Sequence, residues 1–121
     1  MKKRQEFVTQ NLVLNSSSSI EEALVAITDN QRGAVIVVDD DFILRGVASD
    51  GDLRRGMLHG ATAIAPVSKI MNTNARAIRD RSEGEEVFKE NAAITLLPVV
   101  DKENRVIDVL VRDKHVRKAI F

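Results

Sequence analysis

Apolar and polar positions follow two rhythms along this chain, and the rhythms recur. Ile20, Ala23, Leu24 and Ile27 fall at the i, i+3, i+4, i+7 spacing of one helical face. Ser19 stands before them and Glu22 three residues on, the pattern of a capping box in which each side chain satisfies a free backbone N–H at the helix start. Gly33 lies just past the end, where a left-handed residue is wanted. The run Ala34-Val35-Ile36-Val37-Val38 is rich in β-branched residues and apolar on both faces, so it predicts a strand covered on both sides. Asp39-Asp40-Asp41 makes the turn, Ile43 to Ala48 the partner strand, and a charged stretch from Asp50 to Gly60 follows.

The same order returns 62 residues later. Leu96-Leu97-Pro98-Val99-Val100-Asp101 repeats the run that ends at Asp39, Asp108-Val109-Leu110 repeats Gly46-Val47-Ala48, and Arg112 to Phe121 repeats the charged stretch. Upstream, Leu12-Val13-Leu14 before Ser16–Ser19 corresponds to Ala75–Ile78 before Asp80-Arg81-Ser82, with Thr9 to Asn11 read as the start of the first strand. A second-unit helix is predicted from about Glu83 to Asn91, weakened by Gly84. The expected architecture is α/β (α+β): two pseudo-symmetric strand-helix-strand-strand-helix (β-α-β-β-α) units, residues 1–62 and 63–121. The connector Ala61–Val67, with Pro66, is too short to let the halves move freely, so they should share one core.

Composition narrows the functions. The chain has 121 residues, 18 Lys plus Arg against 18 Asp plus Glu, and no cysteine. Zero net charge gives no general attraction for DNA or an anionic membrane, so any anion site must be local. Without cysteine there is no disulfide, thiolate metal site or cysteine nucleophile, which suits a cytoplasmic location. The longest apolar run is Ala34–Val38, far short of the ~20 residues of a spanning helix. Met1-Lys2-Lys3-Arg4 is followed by Gln5-Glu6, not by the apolar region of a signal peptide. With no Trp or Tyr and only four Phe, stacking platforms for single-stranded nucleic acid are poorly supplied.

The most informative stretch is Gly46-Val47-Ala48-Ser49-Asp50-Gly51-Asp52-Leu53-Arg54-Arg55, where a strand gives way to a helix. One reading is a helix cap: Ser49 at the N-cap accepts free N–H groups, and Asp50 and Asp52 suit the positive end of the helix dipole. The other is a ligand site, with N–H groups and the Ser49 hydroxyl for a phosphate, the Asp52 carboxylate for the hydroxyls of a ribose, and Arg54 and Arg55 for further phosphate charge. No Ser/His/Asp triad, facing carboxylate pair or zinc-ligand spacing emerges, and His59 and His115 lie in different copies. Asp39–Asp41 reads as a solvated turn, not a metal loop.

A repeated unit of about 60 residues, with GVASDGDLRR closing the first copy and LLPVVDKENRVIDVLV in the second, resembles a tandem pair of cystathionine-β-synthase-type (CBS) domains over residues 7 to 121. The resemblance implies a compact pair that binds an adenine nucleotide such as AMP or ATP in a cleft between its units. It also implies a regulator of an attached or partner enzyme, channel or transporter, not a catalyst, and no cofactor or metal. Carried over to this chain, it makes Ser49 the phosphate ligand and Asp52 the ribose ligand, with the base along the backbone of Ala34, Val35 and Ile36 and the neighbourhood of Thr9 and Asn11 as a looser candidate. The second copy departs from the pattern: Gly46, Ser49 and Asp52 correspond to Asp108, Val111 and Lys114, so the second cleft lacks both ligands. Arg112, Lys114, His115, Arg117 and Lys118 form a basic cluster there, read first as cations suited to the end of a C-terminal helix and second as an anion site. Such pairs also associate as homodimers, which makes a purely structural dimerisation module the alternative, with Leu53, Met57 and Leu58 as packing candidates. The module further resembles those of sugar-phosphate nucleotidyltransferases, and the helical pattern that continues to Phe121 suggests a fragment whose effector domain followed.

Overall fold

The computed structural model describes residues 2–112. The chain forms helix α1 (Lys2–Thr9), strand β1 (Val13–Asn15), helix α2 (Ile20–Asn30), strands β2 (Ala34–Val38) and β3 (Leu44–Ser49), helix α3 (Asp50–Leu58), helix α4 (Gly84–Glu90) and strands β4 (Leu96–Val100) and β5 (Val106–Val111). Short 3-10 turns at Val67–Lys69 and Arg81–Glu83 lie between α3 and α4. The mixed α+β architecture is the one the pattern predicts, and the two hairpins are copies. In the first, Ala34 pairs with Ser49, Val37 with Gly46 and Val38 with Leu44. In the second, Leu96 pairs with Val111, Val99 with Asp108 and Val100 with Val106, with the irregularity at the same place.

Both hairpins turn in the same way. Asp39 donates its N–H to the Ile43 carbonyl and Asp101 donates to that of Arg105, while Phe42 and Asn104 both take a left-handed conformation (φ 64° and 66°). Burial pulls the Asp39 carboxyl up, but bonds from the Ile43 N–H, the Arg45 guanidinium and the Asp41 N–H outweigh it and hold the group below its ordinary value. Asp101 is lowered by the Arg105 N–H and guanidinium. The turns also meet each other. Leu44 donates to the Asn104 carbonyl at 2.9 Å, and its repeat mate Val106 donates to the Phe42 carbonyl at 2.9 Å. A pseudo-twofold axis therefore passes between the two turns.

The core follows from the alternation of β2 and β4. Val35 and Val37 face a cluster private to the first unit, with Ile20, Ala23, Ile27, Ala48 and Leu53. Leu97 and Val99 face one private to the second, with Ile78 and Val87. Between them lies a shared cluster in which Ile36 and Val38 meet Leu96, Val100, Val106 and Val109.

Several expectations need correction. The N-terminal segment is a helix, not the approach to a strand: Thr9 ends α1, Asn11 sits in a left-handed turn (φ 60°), and β1 begins only at Val13. Phe7 is what fixes α1, because it is buried in the shared cluster, and Lys3 pairs with Asp108 of β5. The left-handed C-cap of α2 is Gln31 (φ 58°), with Gly33 (φ 74°) two residues on. The second-unit strand at Ala75–Ile78 shrinks to one bridge, Ile78 to Val99. Leu53 is fully buried in the first unit's own core and offers nothing to a partner. The connector is also less of a divider than its sequence implies. Ile20 and Glu21 donate to the carbonyls of Ala65 and Ala63, and Val67 joins the first unit's private core. The helix expected after Arg112, with Lys114, His115, Arg117 and Lys118, lies outside the described residues.

A shared core predicts shared stability. Ile36→Ala should cost about 3 kcal/mol, and hydrogen exchange should show protection falling together at Val37 in β2 and Leu97 in β4. Loss confined to the first hairpin would mean that the units open independently.

Candidate functional site

The strand-to-helix junction at Ser49 is built by the backbone and finished by two side chains. Ser49 closes β3 opposite Ala34 and is the extended N-cap of α3 (φ −97°, ψ 164°). Its Oγ accepts the Asp52 N–H at 3.1 Å, and Asp52 Oδ2 accepts the Ser49 N–H at 3.0 Å. Asp52 Oδ1 accepts Arg55 Nη2 at 2.8 Å. The cap is therefore complete, yet neither side chain is exhausted. Ser49 still has its hydroxyl proton to donate, and a carboxylate has about four lone-pair sites, of which two are used. The cap holds both groups in one geometry before anything binds.

Both side chains line a cleft of about 250 Å³ that the two units build together. The first unit contributes Ala34, Val47, Ser49 and Asp52, and the facing wall is Ala93, Ile94, Thr95 and Leu96. Asn72, Ala75 and Arg76 border it from the segment that leads into the second unit. The volume lies just below the ~300 Å³ at which small-molecule pockets ordinarily begin. Cross-unit bonds brace the cleft: Thr95 Oγ1 donates to the Arg32 carbonyl at 2.6 Å, and Arg32 Nη1 donates to that of Arg112 at 3.2 Å.

Gly46 explains how the third side of the cleft gets there. Val47 and Asn72 exchange backbone bonds of 3.1 and 2.9 Å, drawing the segment across β3. A Cβ at Gly46 would stand 2.6 Å from the Asn72 carbonyl oxygen and 3.1 Å from the Met71 side chain. Only glycine permits this approach without a shift of the backbone.

The sequence-predicted residues divide in the structure. Ser49, Asp52 and Ala34 come together in the cleft. Val35 and Ile36 are fully buried in the two core clusters on either side of β2 and do not line it. Arg54 is exposed, pairs with Asp50 at 3.5 Å and lies outside the lining. Thr9 borders a separate shallow surface with Gln5, Glu6 and Gln10. Asn11 lies outside the cleft lining and accepts Asn30 Nδ2 on its carbonyl at 2.7 Å. The facing wall was not anticipated, although the 62-residue offset from Ala34 leads to Leu96. Asn72 carries no signal in the repeat, and Arg76, inside the repeated Ala75–Ile78 segment, stands where the first copy has the apolar Leu14.

The second unit's counterpart is built differently. Asp108, in the place of Gly46, is buried and ion-paired with Arg81 and Lys3. Arg112 donates to the carbonyls of Ile94, Phe88 and Asn91 at 2.7–2.8 Å and lies 4.9 Å from the Phe88 ring centre. It closes the C-terminal end of α4, while the other members of the basic cluster lie outside the described residues.

Residues 5–59 match the CBS domain family. Among curated proteins, 92 residues are 30% identical to the arabinose 5-phosphate isomerase GutQ of Salmonella typhi, over 74% of this chain and 28% of that one. The chain spans under a third of the length of the curated relatives it matches. Among solved structures, CBSX2 of Arabidopsis thaliana, in complex with AMP, is similar at a TM-score of 0.67 and 28% identity, over 89% of this chain and 86% of that one. The cytosolic domain of the Mg2+ channel MgtE, in complex with ATP, is similar at a TM-score of 0.65 and 25% identity, over 88% of this chain and 44% of that one.

Gly46→Ala tests the close approach. The added methyl should cost about 1–3 kcal/mol, seen as a lower urea midpoint by circular dichroism, with amide shifts displaced at Met71 and Asn72. An unchanged midpoint would show that the segment does not need the glycine.

Proposed function

The chain belongs to the CBS-domain family, with the fold of a CBS-domain pair, and from that premise we propose that it is a regulatory module whose inter-unit cleft binds an adenine nucleotide. The observation that carries this reading is the position of Ser49 and Asp52. They line the cleft that both units build, each with hydrogen-bonding capacity left after capping α3. The Ser49 hydroxyl is free to donate to a phosphate oxygen, and the remaining lone pairs of Asp52 suit the paired hydroxyls of a ribose. Apolar groups of Ala34, Ile94 and Leu96 offer the base a place out of water. The AMP and ATP complexes of the similar proteins support the same class of ligand.

The action is regulatory because the ligand spans a boundary. A nucleotide held by Ser49 and Asp52 on one side and by the 93–96 wall on the other prefers the arrangement that brings both into reach. It shifts the pair by as much as it prefers that state. We place the controlled chemistry in an attached or partner domain. The resemblance to nucleotidyltransferase modules and the likeness to the isomerase GutQ both point to sugar-phosphate enzymes as its class. Dimerisation through α3 is a second role with one observation in its favour, the 80% exposure of Leu58.

Calorimetric titration of AMP, ADP and ATP into the wild-type chain and Asp52→Ala tests the proposal. At least one nucleotide should bind near one per chain, and the substitution should weaken it by more than about tenfold, or ~1.4 kcal/mol. No binding at millimolar concentration would leave Ser49 and Asp52 as a helix cap alone.

A further inference from the structure

We infer that Arg76 is the cation that reads the ligand's phosphate, so that the first unit holds the sugar and the second unit's leading segment holds the charge. The inference rests on the nucleotide reading above and goes beyond it by assigning the phosphate a counter-charge that the CBS motif does not contain.

The first reason is what the motif cannot supply. Arg54 lies outside the cleft and is paired with Asp50. Arg55 is committed to Asp52 at 2.8 Å and faces an open groove with His59 and Lys69 on the far side of that carboxylate. The start of α3 is partly occupied, with only the Gly51 N–H left over among its first three. The Asp50 N–H goes to the Gly33 carbonyl at 2.9 Å and the Asp52 N–H to Ser49 Oγ. A phosphate arriving at Ser49 would find one hydroxyl, one backbone N–H at Gly51 and no cation, beside a carboxylate, a poor setting for a dianion.

The second reason is what Arg76 offers. It borders the cleft together with Ser49 and Asp52. Among the described residues it has no carboxylate within 4.0 Å, whereas Arg45, Arg54, Arg55, Arg81 and Arg105 are all ion-paired. Arg76 also borders a separate groove with Arg79 and with Glu83, Glu86 and Glu90, none of whose carboxylates forms an ion pair with it. Its backbone is positioned from both sides, by the Asn72–Val47 bridge before it and the Ile78–Val99 bridge after it. Anchored backbone with a free guanidinium is a suitable arrangement for capturing a phosphate by paired N–H donors. Phosphate binding would then draw the 73–77 segment towards the first unit.

The test compares AMP with adenosine, by calorimetry, on the wild-type chain, Arg76→Gln and Arg54→Gln. The wild type should prefer AMP by about tenfold or more, the scale of a charge-assisted bond. Arg76→Gln should abolish that preference while adenosine binds as before, and Arg54→Gln should leave both unchanged. Arg76 is exposed, so an unchanged melting temperature will confirm that the variant folds. Retention of the preference in Arg76→Gln, its loss in Arg54→Gln, or equal binding of AMP and adenosine by the wild type would each overturn the assignment and leave the nucleotide reading standing. Binding of neither compound to the wild type would overturn the assignment, and a failure of ADP and ATP as well would overturn the nucleotide reading with it.

Discussion

Strand β2 has no polar face, and that constraint organises the molecule. Val35 and Val37 can be covered by the first unit's own helices, but Ile36 and Val38 on the other side have nothing in that unit broad enough to cover them. β4 has the same problem with Leu96 and Val100. Packing the two unsatisfied faces together removes both from water, and apolar burial of this kind dominates the stability of a chain this size. The exchange of backbone bonds between Leu44, Asn104, Val106 and Phe42 fixes the register of that contact. Phe7 then seals it, which is why a charged N-terminal segment folds as a helix.

The cleft is a consequence of this packing. Ala34 and Leu96 are repeat mates at the starts of β2 and β4, and where the shared core gives out both line the gap between the units. The β3–α3 junction places Ser49 and Asp52 at its edge, and Gly46 lets the 71–72 backbone close in from the third side. A ligand there touches parts whose relative position depends on the shared core. The reciprocal cap keeps Ser49 and Asp52 in place without one, so less ordering is left to be done on binding. At the pseudo-symmetric position Asp108, Lys3 and Arg81 make a structural ion-pair cluster instead.

The repeat, the two hairpins, the α2 capping box and the Ser49–Asp52 cap were legible because each depends on local chemistry: side-chain period, turn residues and capping distance. What was hidden depends on distant partners. Residues 2–9 are polar enough to pass for a tail, and only the pocket for Phe7 reveals a helix. Val35 and Ile36 looked available as backbone contacts, but β2 is the middle strand of its sheet and is paired along both edges, with β1 and β3. Arg54 was singled out by its place in the motif, yet one turn of helix carries it away from the cleft and towards Asp50. Arg76 belongs to no motif and gains its position through the crossing of the 71–72 segment over Gly46 on one side and the Ile78–Val99 bridge on the other.

One small ligand at the inter-unit cleft should touch both units at once. Backbone amide shifts of the isotopically labelled chain, followed during titration with AMP, would show whether it does. Saturable changes are expected on both sides of the cleft together, at Ala34, Ser49 and Asp52 in the first unit and at Ala75, Arg76, Thr95 and Leu96 on the other walls. Changes confined to one unit, or centred on the α1 surface around Thr9, would mean that no ligand bridges the pair.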